Sequence, residues 1–132
     1  MAYNNLTDEE KRVIEQKRTE SPFTGEYDNF FEPGTFICRK CNNPLFSSES
    51  KFEAHCGWPA FDASFPNSMQ RIHDNTFGMD RTEIECANCH AHLGHEFTGE
   101  GFTNTNTREC VNSLSIKFIP EGTPLPPILV KD

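Results

Sequence analysis

Six cysteines in a chain of 132 residues pose the first question. Four of them form two Cys-x-x-Cys pairs, Cys38-Arg39-Lys40-Cys41 and Cys86-Ala87-Asn88-Cys89, with 44 residues between the pairs. Two intervening residues let one tight turn aim both sulfurs at the same ion. Two such turns supply a tetrahedral set of four thiolates. Zinc prefers that set in closed structural sites, and iron is the softer alternative. A redox-active Cys-x-x-Cys needs a βαβ setting, which the flanking residues do not provide. Cys38, Cys41, Cys86 and Cys89 are therefore expected to hold a structural Zn2+. Its work would be to clamp two hairpins, contributing folding free energy rather than chemistry.

Cys56 and Cys110 are left over. Residues 108–118 read "RECVNSLSIKF", and Cys110, Asn112, Leu114, Ile116 and Phe118 share one strand phase. A thiol and an amide thus occupy a face that should be apolar. Arg108 shares that phase, and a cation there would lower a thiol pKa. Cys56 lies in "HCGWPAF", a rigid turn that carries Trp58 between Gly57 and Pro59. "HAHLGHEF" adds His90, His92 and His95, and imidazole can deliver a proton near neutral pH. In a flat strand His92 and His95 would face opposite sides, but Gly94 permits a bulge that turns both to one side. Residue chemistry alone leaves two readings of Cys110 open. It is a small inert core residue, or it is a nucleophile served by an imidazole.

The elements that must position these groups are short. "LTDEEKRVIEQKRTE" reads as a helix with Thr7 as its cap and Glu10 at the capping-box position. Acids open it and Lys17 and Arg18 close it, in the sense the helix dipole favours. Leu6, Val13 and Ile14 are its few apolar residues, so it is expected to pack weakly, as an appendage. From Thr35 onward short β signals alternate with turns: "TFICR", "NPLFSS", "SKFEA", "QRIHD", "DRTEIEC", "HLGHEF" and "VNSLSIKFI". This pattern predicts a mainly β domain of small antiparallel sheets, a sandwich or open barrel. Hydrophobic content is only 35%, and twelve phenylalanines must supply much of the core volume. The closing "PEGTPLPPILVKD" is proline-rich and expected to be extended.

A formal net charge of −8 argues against nucleic acid or an anionic membrane as partner, since both need clustered cations. No apolar run approaches the roughly 20 residues of a membrane span. The acidic opening "MAYNNLTDEEKRVIEQ" fits neither a secretory signal nor a transit peptide, so the expected setting is cytoplasmic, where thiols stay reduced.

Taken together, "CGWPAF", "RTEIECANC", "HLGHEF" and "RECVNSLSIKF", with both Cys pairs in order, resemble the B-type methionine-R-sulfoxide reductases. The resemblance runs from about Ser21 to Phe118. It implies two antiparallel sheets, a structural zinc, and reduction of the R epimer of methionine sulfoxide, mainly in proteins, with electrons from thioredoxin. Three segments are expected: an N-terminal helical extension (1–20), a catalytic domain (21–120) and a proline-rich tail (121–132). Position by position, the resemblance makes Cys110 the attacking thiol and Cys56 the resolving one. It places His92, His95 and Asn112 in the active site and Trp58 against the substrate methyl; Arg108, from its strand phase rather than from the resemblance, is expected to join Trp58 in binding substrate. Cys38, Cys41, Cys86 and Cys89 match the metal ligands. A monomer is expected.

One residue departs from the family pattern. An aromatic residue or histidine commonly precedes the attacking cysteine, whereas Glu109 stands here. Strand alternation sends its carboxylate to the opposite side, unless a bulge intervenes. Two rival readings need no sulfoxide chemistry: a zinc-knuckle binding module, and a redox sensor that switches through Cys56 and Cys110.

Overall fold

The computed structural model describes residues 2–75 and 78–130. Met1, at the edge of the expected extension, and Lys131 and Asp132, at the end of the expected tail, lie outside the described residues. Helix α1 (Asp8–Ile14) precedes β1 (Gly34–Cys38), β2 (Pro44–Ser47), β3 (Lys51–Phe52), β4 (Ala60–Phe61), β5 (Met69–Asp74), β6 (Arg81–Cys86), β7 (His92–Thr98), β8 (Thr107–Val111) and β9 (Ile116–Pro120). The strands form two antiparallel sheets, ordered β2-β1-β9 and β3-β4-β8-β7-β6-β5. The mainly β fold therefore stands as expected. No helix among the described residues is long and apolar enough to cross a membrane.

Phenylalanine fills the core. Phe46 stacks on Phe61 with centroids 4.1 Å apart, and Phe36 meets Phe61 at 5.2 Å, edge to face. Leu45, Ile84, Leu93, Val111 and Ile116 complete a fully buried cluster. Few aliphatic residues are needed because each aromatic ring buries a large area and edge-to-face contacts add to it.

Thr7 caps α1 as expected, with the reciprocal Glu10 bond of a capping box. The helix is shorter than the expected stretch to Glu20. Lys17 adopts φ +60°, and its ammonium bridges Glu83 and Glu85, each at 3.0 Å. Two sheet carboxylates thus pull the chain out of the helix. Nor is the helix loosely attached, as Val13 and Ile14 are buried against β7 and the turn at Ser113–Ser115. Two adjacent apolar residues suffice to seat so short a helix.

The expected single strand over 111–119 is two strands in different sheets. A 3-10 turn at Ser113–Ser115 separates β8 from β9. Polar side chains there seize main-chain groups: Ser113 Oγ accepts from Tyr27 N–H, Ser115 Oγ donates to the His92 carbonyl, and Asn112 Nδ2 donates to the Leu93 carbonyl. Such bonds compete with a continuous ladder and bend the chain. The alternation of Ile116 and Phe118 reports β9 alone. The "SKFEA" signal yields only the two residues of β3, and β4 gave no signal.

Candidate active site

β8 carries Cys110 and Arg108 on the face opposite buried Val111 and Glu109. Cys110 is flanked across the sheet by Ala60 of β4 and His95 of β7. The pairing of β6 with β7 slips between Ile84 and Glu85, which face Gly94 and His92 respectively. Leu93 is the extra residue of this bulge. The slip turns His92 and His95 to one side, as the glycine suggested, with ring centroids 5.7 Å apart. Gly94 is required here by close approach. A Cβ at that position would collide with the Cys110 carbonyl oxygen and lie 2.9 Å from its carbonyl carbon.

The loop between β3 and β4 brings in Cys56 and Trp58. His55 and Gly57 take positive φ, and the Gly57 carbonyl accepts from Phe23 N–H at 2.7 Å. This braced turn sets the Cys56 sulfur 3.6 Å from that of Cys110. Both thiols, with Trp58, His95, Phe97 and Arg108, border a cavity of about 210 Å³.

The two sulfurs share protons. The hydrogen bond from Cys110 holds the Cys56 thiol down to about 6. The same bond, with burial, pushes the Cys110 thiol up. Arg108 favours thiolate on either sulfur. The 3.6 Å contact ties the two thiols together, so they titrate as a pair. Glu100 grips Arg108 at 2.8 and 3.2 Å, and its guanidinium lies over the Phe97 ring.

The two imidazoles are held differently. His95 borders the thiol cavity and its Nε2 lies 2.8 Å from Asp74 Oδ2, which Arg81 also contacts at 3.4 Å. His92 is buried behind it, with Nδ1 2.8 Å from Glu83 Oε2. Burial holds the His92 pKa below its ordinary value, against the pull of Glu83. Burial opposes ionisation of Glu83 too, but hydrogen bonds from His92 and Lys17 prevail and keep its carboxyl low. Nothing in the sequence around the histidines marks Asp74, Glu83 or Lys17 as their partners. The phase of "DRTEIEC" carried the only hint, since Arg81, Glu83 and Glu85 alternate with the core residue Ile84.

His90 goes elsewhere: it turns the second cysteine knuckle. Asn112 borders the cavity, but its amide is committed, accepting from Glu20 N–H at 3.0 Å and donating to the Leu93 carbonyl at 3.1 Å. Glu109 points away from Cys110, into the core side of the sheet, and is 1% exposed. Arg71 bonds one of its oxygens at 2.9 Å. Burial first, and then the neighbouring Glu96, push its carboxyl up to about 8.

The remaining four cysteines converge. Cys38, Cys41, Cys86 and Cys89 are buried, with their sulfurs within 4.8 Å of one another. Cys38 meets Cys89 at 3.5 Å and Cys41 meets Cys86 at 3.6 Å. A tetrahedron with metal–sulfur bonds of roughly 2.3 Å has edges of about 3.8 Å, so the set fits a thiolate-bound ion. The two knuckles share one wiring. Asn42 and His90 take positive φ and donate to the carbonyls of Cys38 and Cys86, each at 2.8 Å. The tail crosses both turns, with Leu129 N–H on the Cys41 carbonyl and Asn88 on the Leu129 carbonyl, both at 2.7 Å.

Residues 6–120 match the SelR domain, a span that includes α1. Peptide methionine sulfoxide reductase B5 of Arabidopsis thaliana is 52% identical over 116 residues, covering 87% of this chain and 82% of that protein. Peptide methionine sulfoxide reductase MsrB of Teredinibacter turnerae is 49% identical over 119 residues, covering 89% and 87% respectively.

Proposed function

The chain belongs to the SelR-domain family of B-type peptide methionine sulfoxide reductases, and from that premise we propose that Cys110 and Cys56 carry out the reduction of methionine-R-sulfoxide as an attacking and a resolving thiol. The observation that supports this reading is the pair of sulfurs 3.6 Å apart, on a cavity shared with an indole and an imidazole.

A sulfoxide sulfur is a weak electrophile until its oxygen gains a proton. Cys110 stands on a strand that fixes it beside His95, so its thiolate attacks the sulfur while His95 protonates the oxygen. His92 and Glu83 support that ring from behind. Trp58 cradles the substrate methyl by apolar contact. The hydroxyl passes from the substrate sulfur to the Cys110 sulfur as the S–O bond breaks, the transient sulfur–sulfur bond to the substrate breaks with its electron pair going to the substrate, and methionine departs, leaving Cys110 as a sulfenic acid. The Cys56 sulfur then attacks the Cys110 sulfur and the oxygen leaves as water, which closes a disulfide. Cys56 suits this step because it sits on a loop. A dithiol protein of the thioredoxin kind restores both thiols by exchange, taking the disulfide for itself. Asn112 fixes the pocket wall, and Arg108 stabilises the thiolate.

Oxidised proteins and peptides are the proposed substrates, and zinc the ion at the four-cysteine site. When bound, it supplies a crosslink rather than a reactant. The test uses both sulfoxide epimers with a thioredoxin system. The wild type should reduce the R epimer, Cys110→Ser should lose turnover, and Cys56→Ser should yield about one equivalent of methionine and then stall. Sustained thioredoxin-driven turnover by C56S would remove Cys56 from the cycle. Reduction of the S epimer alone would overturn the whole reading.

A further inference from the structure

The segment joining α1 to the first sheet passes over the pocket, and one residue of it touches two of the pocket's walls. The Glu20 carbonyl accepts the indole N–H of Trp58 at 3.0 Å. Its own N–H donates to the Asn112 side-chain oxygen at 3.0 Å. A single residue's main chain therefore fixes both the ring proposed to cradle the substrate methyl and an amide that also borders the cavity.

The Glu20 side chain runs inward, away from the pocket. It is 8% exposed, and Oε1 accepts the Leu114 N–H at 3.0 Å, in the turn between β8 and β9. Oε2 is buried without a partner among the described residues. Burying a carboxylate is costly, and an orphaned oxygen adds to the cost. The seat is shaped for it all the same. A Cβ on Gly25 would collide with the Glu20 carboxylate and the Ser113 hydroxyl together. Burial pushes the Glu20 carboxyl up from its ordinary value, against the main-chain bonds from Leu114 and Ser113.

We infer that Glu20 is a positioning residue: its carboxylate moors residues 19–21 to the turn at Ser113–Ser115, so that its own main chain holds Trp58 and Asn112 in register with Cys110. The substrate never meets the Glu20 side chain. The functional part of this inference rests on the reductase reading above, whereas its structural part does not.

Trp58 is the one tryptophan of the chain, so its indole N–H resonance is an unambiguous probe. In Glu20→Ala that resonance should shift upfield, and KM for a methionine-R-sulfoxide peptide should rise about fivefold with a smaller change in kcat, a loss equivalent to ~1 kcal/mol of binding. Glu20→Gln keeps an acceptor for Leu114 and should restore both. A folded E20A with an unmoved indole resonance and unchanged KM overturns the proposal. Hydrogen exchange in the wild type decides the matter even if E20A fails to fold. Lifting the mooring frees both groups at once, so the Trp58 indole N–H and the Leu114 amide should show opening constants within about threefold of each other. Opening constants that differ more than about tenfold overturn it. A wild type inert toward the R epimer would sink the reductase reading yet leave the resonance and exchange results to judge Glu20.

Discussion

Replacing Gly94 by alanine isolates the contact between β7 and β8 at the thiol. Gly94 does not occupy the left-handed region, so alanine adopts its backbone without conformational strain and only the added methyl acts. That methyl would overlap the Cys110 carbonyl oxygen, and would lie 2.9 Å from the Cys110 carbonyl carbon and 3.1 Å from the Val111 Cα. Carbon atoms settle at roughly 3.5–4.0 Å, so the strands must part by about 1 Å. All of these atoms belong to the main chain, and none can swing aside. Two ladder hydrogen bonds beside the methyl weaken, at ~1 kcal/mol each, and overpacking adds a similar amount, for a total of about 3 kcal/mol. The displacement also falls between Cys110 and its cross-strand neighbour His95. A misplacement of about 1 Å can cost on the order of 10²-fold in rate. Urea unfolding followed by Trp58 fluorescence gives the first quantity, and single-turnover reduction of a methionine-R-sulfoxide peptide gives the second. G94A that keeps its urea midpoint and reacts within about threefold of wild type would refute the claim that this approach sets the geometry of the thiol.

Two further outcomes follow from buried groups. Stripping metal with a chelator, or Cys86→Ser, should cost several kcal/mol and melt the knuckle region, as read by circular dichroism alongside metal content; an unchanged melt in C86S would deny the crosslink. Glu109 binds its proton more tightly in the folded chain than in the unfolded one, so its contribution is full in acid and is lost as pH rises through about 8. Glu109→Gln should therefore flatten the fall in stability between about pH 5 and 8, measured by urea midpoints, and an unaltered slope would contradict the raised carboxyl.

Much of the site was legible because its chemistry is written in local spacing. The Cys-x-x-Cys pairs and the capping box of Thr7 each depend on residues within five positions of one another, and a glycine between two histidines marked the bulge. What escaped the sequence was carried by long-range bonds. Lys17 looked like the basic end of a helix, yet it leaves the helix for two carboxylates on β6. Residues 112–115 looked like strand because Leu114 keeps the phase of Ile116, yet serine and asparagine side chains divert the backbone. The partners of His92 and His95 come from β6 and from the end of β5, and nothing in "HLGHEF" points there. Glu109 was an oddity beside the attacking thiol. Alternation sends it into the core, where Arg71 and Glu96 meet it.

The pairing of β1 with β9 bears on how the chain assembles. Gly34 lies opposite Pro120 and Cys38 opposite Ile116, so the small sheet closes only across most of the sequence. Contacts of such separation make for slow folding, because the loop must be closed before the contact can reward it. The cysteine knuckles offer a shortcut. Each is built from local bonds and can form early, and an ion that joins them ties off the 44 residues between. That crosslink shortens the search left to β9. Metal supply would then govern how fast the protein matures as well as how stable it is, and a chain starved of the ion would linger with unpaired strand edges open to aggregation.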